Sequence, residues 1–258
     1  MQERHSDRER YFDEQARTTG KYYIPYIRRY MSRLPHEVLE IGCGEGGNLF
    51  PFAKLGCAVT GVDIASGRIA QARRFFAGRG AEGTFIDSDI FKLTELEHRF
   101  SLILVHDVIE HIDDKVGFLE GIKRYLAPGG MVFVAFPAWQ MPFGGHQQIA
   151  RSRVVSHFPF LHLLPVSCYR GVLRSFGEDE ATVCELLNIK RTKCPVEKFQ
   201  QVLHDTGYRI TDRCLYLINP HYETKFGLTP RRLRCGIPSV PYLRNFFSTS
   251  CFYIIQPE

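Results

Sequence analysis

The 258-residue chain is 44% hydrophobic and 24% charged, with 33 Lys+Arg against 28 Asp+Glu and a formal net charge of +5. That is the composition of an ordinary globular protein able to bury one substantial core. Its basic residues are dispersed, which excludes a nucleic-acid signature, and no apolar run reaches the roughly 18 residues of a membrane span.

The opening MQERHSDRERYF is polar and carries no signal-peptide pattern, while eight cysteines without a CxxC pair fit a reducing, cytoplasmic compartment. Residues 1–36 are rich in tyrosine, and the rings of Tyr11, Tyr22, Tyr23 and Tyr26 are suited to pack a helix against the core. The apolar run 38–41 reads as a first strand and 48–56 as a short helix, with Pro51 near its start and Gly56 stopping it. A second strand covers 58–63. An amphipathic helix over 66–80 turns Ile69, Ala72 and Phe76 inward, and a third strand lies within 83–90.

A strongly apolar fourth strand begins at Phe100 and runs to about Val105. The spacing of Val116, Leu119, Ile122 and Leu126 predicts a helix over 114–130, closed by Pro128 and two glycines, before a fifth strand at 131–137. Strands so continuously apolar suit a parallel sheet covered on both faces. The second half is less regular. Helices are expected at 178–190 and 195–207, and strands at 208–220 and 249–257 form an antiparallel edge. The densest basic spot, at 231–234, is either a solvated surface or a contact for an anionic group. The apolar run 157–165 is either a lid over an acceptor or a contact between two copies.

Gly42, Gly44 and Gly47 satisfy GxGxxG, and Asp63 follows Gly42 by 21 residues, the pattern of a dinucleotide fingerprint. Glu40 breaks that reading: a carboxylate two residues before the first glycine would repel a pyrophosphate in a low-dielectric cleft. It suits a ligand with an ammonium and a sulfonium, and S-adenosylmethionine is one. Asp63 would then hold the ribose, Asp89 or its neighbouring backbone the adenine amino group, with Asp87 the competing carboxylate, and Ile64 and Ile90 the two faces of the ring.

In order and spacing, VLEIGCGEG, GVD, DSDI, FSLILVHDVIEHI and YLAPGGMVFVAFP resemble the class I S-adenosylmethionine-dependent methyltransferases, among them the quinone-biosynthesis O-methyltransferases. The resemblance is tight over 37–137 and looser over 195–218. It implies an α/β, Rossmann-like three-layer sandwich with a seven-stranded, mostly parallel sheet of order 3-2-1-4-5-7-6, strand seven antiparallel. It implies a single domain over 1–258 with substrate-side insertions at 138–194 and 219–247. It also implies that Glu40 serves the methionine part, that Gly42 and Gly44 form the floor beneath it with Cys43 among the cofactor-binding residues, and that His106 and Val108 flank the cofactor. It implies, too, that residues 1–36 form an N-terminal helical cap whose Tyr11 covers the methionine end.

The expected reaction is methyl transfer to a small, partly apolar acceptor, at oxygen, by a monomer or homodimer. His146 and His111 are the candidate bases, each set against a purely structural role. No metal is demanded, since His146 has no carboxylate near it in sequence, and the two glycines before it suggest a flexible loop. A nicotinamide oxidoreductase and a non-catalytic cofactor-binding subunit are the alternative classes.

Overall fold

The computed structural model describes residues 7–258. The first six residues of the expected cap, and with them half of the polar opening, lie outside the described residues. An eight-stranded sheet of order β3-β2-β1-β4-β5-β8-β6-β7 forms the centre. Its members are β1 (Glu37–Ile41), β2 (Ala58–Asp63), β3 (Thr84–Asp87), β4 (Phe100–His106), β5 (Leu126–Phe136), β6 (Tyr208–Ile218), β7 (Arg231–Arg232) and β8 (Ser250–Pro257). The first five pair in parallel, and β8 runs antiparallel between β5 and β6. The expected order is therefore present, with β8 as the reversed strand and the two-residue β7 added at the edge.

Eleven helices surround the sheet among the described residues: α1 (Arg8–Thr18), α2 (Ile24–Ile27), α3 (Phe50–Lys54), α4 (Ser66–Gly78), α5 (Lys115–Ile122), α6 (Arg153–His157), α7 (Val166–Ser175), α8 (Glu180–Thr192), α9 (Val196–Asp205), α10 (His221–Phe226) and α11 (Leu243–Phe247). Aspartates cap three of them: Asp7, Asp114 and Asp179 accept the backbone N–H of Arg10, Gly117 and Thr182. No helix among the described residues is long and apolar enough to cross a membrane.

The period of two along each strand divides the core. Ile103 and Val105 face one layer with Leu119 and Ile122 of α5 and Phe199 and Leu203 of α9. Leu102 and Leu104 face the other, with Phe12 of α1, Phe52 of α3 and Phe76 of α4. Phe12 docks α1 through rings at 5.3 Å from Phe50 and from Phe75. Its complete burial contributes roughly 2 kcal/mol. Residues 138–194 hold a third, smaller core of Ala150, Val155, Tyr169, Leu173, Val183 and Leu186.

One expected helix ends early. α5 stops at Ile122, a single 3-10 turn covers Lys123–Tyr125, and Leu126 already belongs to β5. Phe100 pairs with Leu126 but Leu102 with Met131, so Pro128, Gly129 and Gly130 form a bulge in the strand instead of a helix stop. Val116 consequently lies on the outer face of α5, 39% exposed.

Candidate active site

Every sequence-selected residue except Tyr11 and His146 lies on β1–β4 at their carboxyl ends or in the turns just beyond, the crevice where open α/β sheets bind ligands. Glu40 is 1% exposed at the end of β1. Its Oε1 accepts a 2.8 Å hydrogen bond from the Asn48 amide, and its Oε2 has no hydrogen-bond partner among the described residues. Burial pushes its pKa from an ordinary 4.5 up to about 8, with the Asn48 bond opposing and the charge of Asp63 adding a little. The Asn48 carbonyl in turn accepts from Thr19 Oγ1 at 2.7 Å. Thr19 opens a π-helical turn, Thr19–Tyr23, that continues α1, so the N-terminal cap helps to orient the Glu40 carboxyl.

Gly42 and Gly44 both take left-handed φ, 72° and 52°. A Cβ on Gly42 would stand 2.5 Å from Val108 Cγ2, whereas one on Gly44 would enter open space. The turn therefore touches the loop after β4 on one side and leaves a cradle on the other. Cys43 is buried, and burial holds its thiol well above the usual range, so it packs as an inert core residue.

Asp63 closes β2 with both oxygens engaged: Oδ2 accepts from Gly44 N–H at 2.9 Å and Oδ1 from Ala65 N–H at 2.8 Å. Each carboxylate oxygen keeps a second lone pair for a ligand. Ile64 projects outward at 80% exposure, while Ile90 is buried beside Ile41 and Val62. Asp89 is exposed and caps the single 3-10 turn Ile90–Lys92 by accepting from Phe91 N–H at 3.0 Å.

His106 ends β4, with Nε2 2.8 Å from the Tyr23 hydroxyl. The next residue, Asp107, has φ 53°, a strained value for a non-glycine that is fixed by its N–H donating to Ala135 O. Tyr11 is half-buried on α1. Its ring meets that of His221 edge to face at 6.3 Å, and burial first, then the carboxylates of Asp107 and Glu45, drive its phenol far above the usual range.

The loop after β4 and the turn after β5 meet. Glu110 is 3% exposed, and neither of its carboxylate oxygens has a hydrogen-bond partner among the described residues. His146 Nε2 lies 3.6 Å from Glu110 Oε1, and the His111 and His146 rings meet edge to face at 5.0 Å. Burial, reinforced by Asp107, raises Glu110 well above the carboxylate range; desolvation against its packed side lowers the imidazole of His111. So His146 does have a carboxylate beside it, one that arrives from a different loop.

The turn carrying His146 is packed, contrary to the flexible loop its glycines suggest. A Cβ on Gly145 would stand 2.1 Å from His162 Cβ, so close approach accounts for that glycine. Gln147 is fully buried, its amide donating to the carbonyls of Pro142 and Phe158. Asn48, Thr19 and Tyr23 are positioning residues that the sequence did not mark, since each acts on a group distant in the chain or on another element. Only the run of aromatics around Tyr23 hinted at a built surface.

Residues 38–130 match the methyltransferase domain family. The ubiquinone biosynthesis O-methyltransferase of Sinorhizobium medicae is 36% identical over 107 residues, 40% of this chain and 43% of the relative. That of Bartonella tribocorum is 30% identical over 139 residues, 51% and 56% of the two chains. The chain thus spans about half the length of the curated relatives it matches. Among solved structures, the plantazolicin methyltransferase BamL, in complex with a triazolic desmethylPZN analog and SAH, gives a TM-score of 0.59. The likeness covers 99% of this chain and 89% of that one at 12% identity. The magnesium protoporphyrin IX methyltransferase of Synechocystis, with bound SAH, gives 0.56 over 95% and 84% at 13% identity. At these identities the likeness is one of fold.

Proposed function

From a chain with the class I methyltransferase fold and a methyltransferase domain at residues 38–130, we propose an S-adenosylmethionine-dependent methyltransferase acting on a small, partly apolar acceptor, at oxygen. The observation that carries this reading is Glu40: a buried carboxyl beside the glycine turn whose Oε2 has no hydrogen-bond partner among the described residues. A ligand ammonium satisfies that oxygen and returns the group to its charged form; a pyrophosphate does neither. Asp63, fixed by two backbone N–H groups, is oriented to accept the ribose hydroxyls, and Asp89 with its neighbouring backbone to meet the adenine amino group. Ile64 and Ile90 supply apolar contacts to the ring. Gly42, Cys43 and Gly44 form the floor, and Tyr11, His106 and Val108 border the methionine end.

Methyl transfer is an in-line displacement: the acceptor oxygen bonds to the methyl carbon as the carbon–sulfur bond breaks, its electron pair passing to sulfur. The protein aligns three atoms and excludes water. His146, with Glu110 at 3.6 Å to steady an imidazolium, takes the hydroxyl proton; His111, across the same wall, is the second candidate. An acceptor of quinol type accords with the names of the curated relatives. We place the reaction in the cytoplasm, on the strength of the scattered thiols, in a monomer or homodimer without nucleic acid.

Calorimetric titration with S-adenosylmethionine and, in parallel, NAD tests the reading. Saturable binding of the former, weakened in Glu40→Gln, is expected; tight NAD binding with none of S-adenosylmethionine would overturn it.

A further inference from the structure

We propose that Glu110, His111 and His146 form a binding site for a divalent first-row transition ion at the acceptor wall. One donor atom from each lies within 4.8 Å of the other two. Two imidazoles and one carboxylate suit zinc or ferrous ions, and three protein ligands leave coordination positions open for an incoming oxygen.

Glu110 is the second, independent observation. A carboxylate 3% exposed with neither oxygen hydrogen-bonded is costly unless a cation meets it. The buried ammonium of Lys115 acts on it only through space, its hydrogen bonds going to the backbone carbonyls of Ile112 and Thr192. The supports around the trio are those of a built site. Thr192 Oγ1 donates to the Glu110 carbonyl at 2.6 Å, and His111 N–H to the Val108 carbonyl at 2.9 Å. His146 is held in a left-handed conformation, its N–H on Phe143 O at 3.0 Å. Bonds of about 2.1 Å bring donor atoms to about 3.4 Å apart, so loading requires a closure of roughly 1 Å, within reach of rotation by the exposed His111 ring.

Only the site's catalytic role rests on the methyltransferase reading; ion binding does not. In that role the ion takes the acceptor hydroxyl at an open position and lowers its pKa, so that the proton leaves to water before the oxygen bonds to the methyl carbon. With the ion bound the histidines serve as its ligands, and the base role given to His146 above belongs to the ion-free chain.

The test uses the full chain, stripped with chelator, and titrates Co2+ by its visible absorption and Zn2+ by calorimetry. One equivalent is expected to bind, with each of Glu110→Gln, His111→Ala and His146→Ala weakening it by at least about 100-fold. His204→Ala, on an exposed histidine of α9, is expected to bind the ion as the parent does. S-adenosylhomocysteine titrated into the same variants reports folding and the cofactor site separately. Ion binding lost with that affinity retained supports the proposal. Ion binding unchanged in the three variants, or absent from the parent, overturns it. Normal ion binding in a chain that ignores S-adenosylhomocysteine keeps the ion site and removes the methyltransferase reading.

Discussion

Replacing Glu40 by glutamine separates the stability of the fold from the affinity of its crevice. The carboxyl is buried, and desolvation raises its pKa from 4.5 to about 8. Between those values the folded chain holds a proton that the unfolded chain has released. Stability therefore falls as pH rises through the window and levels off above about 8. At about 1.4 kcal/mol per pH unit the full span is an upper bound of about 5 kcal/mol. The substituted glutamine carries no proton to lose. It keeps an oxygen to accept from Asn48, but its amide N–H groups stand unpaired at a fixed cost of about 1–3 kcal/mol. The slope is therefore the readout. In urea unfolding from about pH 5 to about pH 8, Glu40→Gln is expected to gain on the parent steadily, by a few kcal/mol in all. S-adenosylmethionine affinity is expected to move the other way, losing roughly 10- to 150-fold with a charge-assisted bond worth about 1.5–3 kcal/mol. A stability gap independent of pH, or undiminished affinity, would refute the reasoning.

Asp63→Asn replaces one charged oxygen by an amide that cannot accept; calorimetry is expected to show cofactor affinity down at least about 10-fold with the sheet intact by circular dichroism. Gly42→Ala meets Val108 Cγ2 at 2.5 Å in a left-handed conformation, and a loss of about 1–3 kcal/mol is expected. Adding Val108→Ala should restore the steric part and leave the backbone part, measured as a double-mutant cycle. Lys115→Met strips the carbonyls of Ile112 and Thr192 of their donor, for an expected loss of about 2–4 kcal/mol in thermal or urea unfolding.

The sheet was readable because β1, β4 and β5 are buried on both faces and so appear as unbroken apolar runs. Leu126 misled because it keeps the helical spacing of Leu119 and Ile122 while pairing with Phe100 across a bulge that the pattern does not encode. The placement of Glu40 and Asp63 at the crevice was legible since a strand end fixes where a side chain points. The meeting of Glu110 with His146 was not, because two loops approach only after β4 and β5 have paired. Nor was the rigidity of the His146 turn, which depends on His162 filling the space beside Gly145. Asn48 lay in plain view within the glycine turn, yet its partners, Glu40 and Thr19, come from a strand and a helix on either side.

The small core of Ala150, Val155, Tyr169, Leu173, Val183 and Leu186 lets the region after β5 hold its shape largely by its own packing. Substitutions there couple weakly to the nucleoside half of the protein, since distant sites without shared partners add independently. The segment can then be rewritten as a self-supporting cassette with the sheet left intact, Lys115 and Thr192 being the fasteners to preserve.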